Sequence, residues 1–164
     1  MISAEHKDRL FCFIFGREEN KHWTLSLYNA VNHSSHTDPD LIEITTMDDV
    51  LYMGMKNDVS FIISNTMSIY EQQSTYNPNM PLRELMYTAR LYDKYVHANR
   101  LNIYGSTLIP LPIPKLVVFY NGKEQREDQI LRLEDAFHIG REDSQKDTEQ
   151  VSDITVRVRM LNIN

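Results

Sequence analysis

The stretch MKNDVSFIISNTMSIYEQQSTYNPNMPLRELMY, residues 55–87, decides the fold. Residues 56–63 and 66–73 read as two strands. Ser64 and Asn65 between them suit a two-residue turn, since Asn tolerates positive φ better than most residues. With that loop Ile63 opposes Thr66, and counting outward sets Asp58 opposite Glu71. Period-two alternation adds Lys56, Ser60, Ile62, Met67, Ile69 and Gln73 to their face. A one-residue slip of the turn would change the partner and keep the order. Asp58, Glu71 and Gln73 thus stand in an apolar frame where each polar side chain costs folding energy unless it has a task.

Downstream, TYNPNMP is a loop, and Pro81 fits the first-turn preference of proline. The periodicity predicts a helix over 82–98 with Leu82, Leu85, Met86, Ala89, Tyr92 and Val96 on one side. Arg83, Tyr87, Arg90, Lys94 and His97 fall on another. Tyr92, Tyr95 and Tyr104 are expected to pack at the core or its rim. A loop with Gly105 and three prolines leads to KLVVFYNG, an apolar run that suits a strand buried on both faces. ILRLEDAF is ambiguous, REDSQKDTEQ is a polar loop, and SDITVRVRMLNI alternates as a last strand running to the end of the sequence.

Upstream, residues 7–15 predict an apolar helix closed by Gly16 in a left-handed cap, with a new start at REEN. Trp23, Leu27, Ala30 and Val31 recur at core-facing helical spacing. LIEITTM has strand composition, with apolar positions at Leu41 and Ile44. The order is helix, strand, strand pair, helix, buried strand: an α/β layout whose mixed sheet contains an antiparallel meander flanked by helices. No repeat or linker divides the chain. One domain over 1–164 is expected, with a core about 7–122 and an extension over 123–164 carrying a further strand, and the parent protein is expected to continue beyond it.

The 164 residues, 41% hydrophobic and 24% charged, suffice for a buried core. No apolar run approaches a membrane span, and the first ten residues lack the apolar core of a secretory signal, so a cytoplasmic protein with no membrane partner is expected. The single cysteine, Cys12, excludes an internal disulfide and a thiolate zinc cluster, and RLFCFIF around it reads as core. The six His show no HExxH spacing. A net charge of −6 argues mildly against a protein that coats nucleic acid, while leaving room for an enzyme with a local basic surface.

Two carboxylates facing each other across a strand pair, with Cβ atoms about 5 Å apart, raise each other's pKa unless a cation lies between them. Asp58, Glu71 and a backbone carbonyl of the second strand offer only oxygen, which favours Mg²⁺ or Mn²⁺ over zinc. Such an ion polarises a phosphate and activates water, and Gln73 faces the same way to position that water. Spacing alone favours the blander reading, strand-end carboxylates in solvent with no task.

NDVSFII, YEQQSTYNPNMPLRELMYTARLY, KDRLFCFIFG, LSLYNAVN and KLVVFYNG together resemble the recombination-promoting nuclease and putative transposase families of the PD-(D/E)XK superfamily. The resemblance covers about 7–122 and is most specific over 57–87. It implies a restriction-endonuclease-like core and metal-dependent DNA endonuclease activity associated with transposons or recombination. Under it Asp58 and Glu71 match the metal carboxylates, Gln73 falls where the superfamily pattern names lysine, and Arg83 and Tyr87 match the Arg and Tyr of the following helix. Glu19 lies where related folds take a further acidic metal ligand; otherwise Glu18 and Glu19 complement a helix dipole. Nucleases of this kind often pair, which implies a homodimer by analogy.

Two departures bear on chemistry. Asn57 stands in the place of the motif's proline, and glutamine in place of lysine cannot supply positive charge to an attacking hydroxide. Lys56, on the Asp58 face, is the candidate substitute; its bland alternative is a solvated lysine at a strand start. The stripe Arg83, Tyr87, Arg90, Lys94 is the expected DNA contact, with Arg83 the first phosphate donor; the alternative for Arg90 and Lys94 is an ordinary solvated face. The rival function is a nuclease-fold DNA-binding or protein-interaction domain with weak or lost catalysis. Nothing resembles a nucleophile elbow, a P-loop or a dinucleotide fingerprint.

Overall fold

A computed structural model describes residues 4–46, 58–138 and 152–164, with side chains from Arg9 onward. Lys56 and Asn57, and the polar loop over 141–150, lie outside the described residues. Helices α1 (Ala4–Phe15) and α2 (Lys21–Asn32) precede strands β1 (Ile42–Ile44), β2 (Asp58–Ile63) and β3 (Thr66–Gln73). Helix α3 (Met80–Ala98) then leads to β4 (Ile113–Tyr120), β5 (Gln129–Arg132) and β6 (Arg157–Asn162). Among the described residues, the strands form one mixed sheet in the order β1-β2-β3-β4-β6-β5. The antiparallel meander β1-β2-β3 continues through α3 to β4, which runs parallel to β3.

The hairpin has the expected register: Ile63 pairs with Thr66, and Asp58 with Glu71. The positive φ of 55° falls on Ser64 rather than Asn65. Both faces of β2 and β3 are covered, so the polar residues Asp58, Ser60, Ser68, Glu71, Gln72 and Gln73 are buried along with the apolar ones. Val59, Phe61, Ile63, Tyr70, Val117 and Phe119 pack under α1 and α2 with Phe11, Leu25 and Val31. Ile62, Met67 and Ile69 pack under α3 with Tyr87 and Leu91.

Three helical faces depart from the sequence reading. In α2 the buried residues are Thr24, Leu25 and Val31, while Trp23 is 52% exposed and Ala30 is also exposed. Thr24 reaches the core because its hydroxyl donates to the Phe15 carbonyl (2.7 Å), linking α2 to the end of α1. In α3 the buried face is Met80, Pro81, Glu84, Tyr87, Thr88 and Leu91. Leu82, Met86 and Ala89 face outward, with Leu85, Tyr92 and Val96 only partly covered. At the end of α1, Gly16 still donates to Cys12 O (2.9 Å) and lacks a positive φ. Its requirement is close approach, since a Cβ there would lie 2.8 Å from that carbonyl oxygen. Cys12 itself is half-buried.

Smaller corrections have local causes. In β1 Ile42 is buried and Leu41 exposed, which moves the apolar alternation by one residue. The first half of β4 is exposed and only Val117–Tyr120 are buried, because β6 covers β4 from Val117 onward. Tyr92 and Tyr95 pack at the rim, with Tyr92 Oη donating to Pro112 O (2.7 Å), but Tyr104 is 92% exposed. The last strand inserts between β4 and β5, parallel to one and antiparallel to the other, and its Val158 and Met160 complete a cluster with Met80, Val118 and Leu131. Among the described residues no helix is long and apolar enough to cross a membrane.

The rotation of α2 has a measurable consequence. Phe61→Ala, which empties a fully buried site between Tyr28 and Tyr70, should cost about 3–5 kcal/mol in urea denaturation. Trp23→Ala should cost under about 1 kcal/mol, where an inward-facing Trp would match the Phe61 loss.

Candidate functional site

The site grows from a single row across the sheet. Asp58, Glu71, Val118 and Met160 are successive cross-strand partners and share the face that α3 covers. Asp58 and Glu71 are buried, at 4% and 3% exposure, and stand directly opposite each other across the strand pair. The Asp58 carboxyl is pushed up to about 9 from its ordinary 3.8, chiefly by burial, then by the Glu71 charge and the hydrogen bond to Glu71, with Arg83 opposing. At neutral pH the Asp58 carboxyl therefore keeps its proton in the absence of a cation.

Gln73 and Arg83 converge on one atom of Glu71. Gln73 Nε2 donates to Glu71 Oε1 at 3.0 Å, and Arg83 Nη2 approaches the same oxygen at 3.1 Å. Both also reach Met80 Sδ in the first turn of α3, at 2.7 Å and 3.5 Å. Gln73 thus holds Glu71 in place and secures β3 to α3. The sulfur of the fully buried Met80 is the acceptor for both donors. Arg83, expected as a phosphate donor, is an ion-pair partner of Glu71 with a 30% exposed side chain.

The remaining expected residues are dispersed. Tyr87 is 3% exposed and belongs to the core with Ile62, Met67 and Ile69, so it is no surface contact for DNA. In the stripe Arg83–Tyr87–Arg90–Lys94 it is the buried member, because that stripe runs along the edge of the buried face of α3. Arg90 is half-buried; Lys94 is exposed, with Nζ 3.4 Å from Thr45 O. Glu19 lies exposed and pairs with Arg17 (3.4 Å); among the described interactions none joins it to Asp58 or Glu71. Lys56 falls outside the described residues.

Sequence reasoning missed Glu84. Its carboxyl group is 2% exposed, neither oxygen has a hydrogen-bond partner among the described residues, and the charges acting on it are those of Asp58, Glu71 and Arg83. Burial first, then Asp58 and Glu71, raise its pKa well above the ordinary glutamate range. The available signal was Met80, Glu84, Thr88 and Leu91 at spacings of three and four, hidden by the more apolar outer stripe.

As for a cation, the donor set is oxygen only, and Asp58 Oδ1 is buried without a partner, which fits a hard divalent ion. Among the described residues no three His, Cys, Asp or Glu side chains are gathered as direct ligands, so the pair alone would hold it. Comparison with family models, curated proteins and solved structures found no match.

The raised Asp58 pKa determines the sign of a pH effect. Between about 4 and about 9 the folded state holds a proton that the unfolded chain has released, so stability falls as pH rises through that window. In metal-free buffer, wild type should lose more stability than Asp58→Asn between about pH 5 and about pH 8, by more than about 1 kcal/mol. Parallel urea midpoints in the two proteins would show that Asp58 holds no such proton.

Proposed function

We propose that the protein is a Mg²⁺- or Mn²⁺-dependent DNA endonuclease on a restriction-endonuclease-like core, of the PD-(D/E)XK type associated with recombination and mobile elements. The observation that carries this reading is the buried opposition of Asp58 and Glu71 with Asp58 Oδ1 left without a partner. The element order supports the fold part: helices, an antiparallel meander, a crossover helix and a parallel fourth strand. Asp58 and Glu71 would hold the ion, which when bound polarises a phosphate oxygen and lowers the pKa of a bound water.

The chain's own residues do the remaining work. Gln73 and Arg83 fix Glu71 Oε1, so the second carboxylate points one way before any ligand arrives. Met80 holds both donors and thereby ties the position of α3 to the pair. Val118 and Met160 continue the same row as an apolar flank that limits water behind the carboxylates. Arg90 and Lys94 line the margin of α3, where a nucleic-acid backbone could follow the helix.

A second reading is a nuclease-fold DNA-binding or protein-interaction domain with little catalysis. It is favoured by the same pair of bonds on Glu71 Oε1, which leave that atom less free for an ion, and by glutamine at the motif's lysine position.

Supercoiled plasmid separates the two. Wild type with Mg²⁺ or Mn²⁺ should nick it, and Asp58→Asn should lose at least about 100-fold of the rate; equal nicking by both proteins sinks the enzyme reading. If DNA follows α3, the double variant Arg90→Ala, Lys94→Ala should flatten the log-log salt dependence of binding by about one unit per lost phosphate contact. An unchanged slope removes the helix margin from the interface.

A further inference from the structure

We propose that Glu84 is a third acidic arm of the cation site, accepting hydrogen bonds from water molecules on a divalent ion held by Asp58 and Glu71; this rests on the cation reading above. Glu84 lies one turn beyond Met80, whose sulfur meets Gln73, and next to Arg83, which meets Glu71. The first turns of α3 are therefore seated on the carboxylate row. Within this seat Glu84 is 2% exposed, and both of its oxygens are buried without a hydrogen-bond partner among the described residues. Buried carboxyl groups ordinarily find partners, so the two orphan oxygens of Glu84, together with the orphan Asp58 Oδ1 on the sheet face that α3 covers, mark a place where donors are missing. Water molecules on a hard cation are such donors: Mg²⁺ dehydrates reluctantly and is commonly bound through one or two carboxylates while keeping several waters.

Charge gives the same answer independently. Glu84 lies within the field of Asp58, Glu71 and Arg83, and Arg83 pairs with Glu71. When ionised, the three carboxylates exceed that guanidinium by two negative charges, the deficit that one divalent ion supplies. The described residues do not gather the three as direct ligands, so the role proposed for Glu84 is toward the ion's waters and not toward the ion itself. Acidic groups in that position orient the bound water and typically change metal affinity by about 10- to 100-fold when removed.

The test is Mn²⁺ binding by the whole chain, without DNA, followed by titration calorimetry and by the electron-spin signal of free Mn²⁺. Glu84→Gln keeps the side-chain shape and should weaken Mn²⁺ binding by about 10- to 100-fold with the circular dichroism unchanged. Thr88→Val, one turn further along the same buried face, should bind as wild type does. Tight binding by wild type, its loss in Asp58→Asn and unchanged binding in Glu84→Gln would overturn the role of Glu84 alone. Equal binding, or none, in wild type and Asp58→Asn would overturn the cation site and this inference with it. Should Glu84→Gln fail to fold, Mn²⁺ located in wild-type crystals by anomalous scattering decides. One bridging water places the ion roughly 4–5 Å from the Glu84 carboxylate, and an ion seated well beyond that distance would refute the proposal.

Discussion

Two carboxyl groups facing each other under a helix are the constraint around which the rest of the molecule is arranged. Taking ionised carboxylates out of water is costly, and opposing two of them adds repulsion, so the native state must supply either a proton or a cation. The Ser64–Asn65 turn makes the conflict unavoidable. It sets the register at Ile63 and Thr66, and the pleat then carries Asp58 and Glu71 to the same face five rungs away. A strand with period-two side chains has no gradual escape from that placement: slipping the register by one residue would also turn Val59, Phe61 and Tyr70 out of the core they share with α1 and α2.

The conflict explains the composition of α3. A helix covering a wholly apolar sheet would present its most apolar stripe. The surface under the start of α3 carries Asp58, Glu71 and Gln73, so the helix answers with Arg83 and Met80 as donor and acceptor, and with Glu84. Further along, where Ile62, Met67 and Ile69 form the sheet surface, Tyr87 and Leu91 take over. Leu82 and Met86 remain outside because no sheet surface lies there to receive them. Reading the stripe of greatest apolarity as the buried one therefore reverses the helix, and with it the role of Tyr87, from a DNA contact to a core residue.

The C-terminal strands show a comparable limit. Alternation in residues 157–162 identifies β6 as a strand but carries no address within the sheet. Its position between β4 and β5 follows from parallel pairing of Val117–Tyr120 with Arg159–Asn162 and from the apolar cluster that Val158 and Met160 form with Met80 and Val118. Because Met160 lies in the same row as Asp58 and Glu71, the part of the chain expected as an appendage contributes the apolar flank of the candidate site.

By itself the sequence determined the β2–β3 hairpin and the pairing of Asp58 with Glu71, because turn length and strand period are local rules that act within the sixteen residues from Asp58 to Gln73. It determined as well that any ion there would be bound by oxygen. Tertiary structure alone decided which side of α3 meets the sheet, that Trp23 stays in solvent, that Gln73 and Arg83 hold Glu71, and that Glu84 joins the acidic pair. Those outcomes depend on the polarity of the surface each helix finds opposite it, a property assembled from distant strands and absent from the periodicity of any one segment.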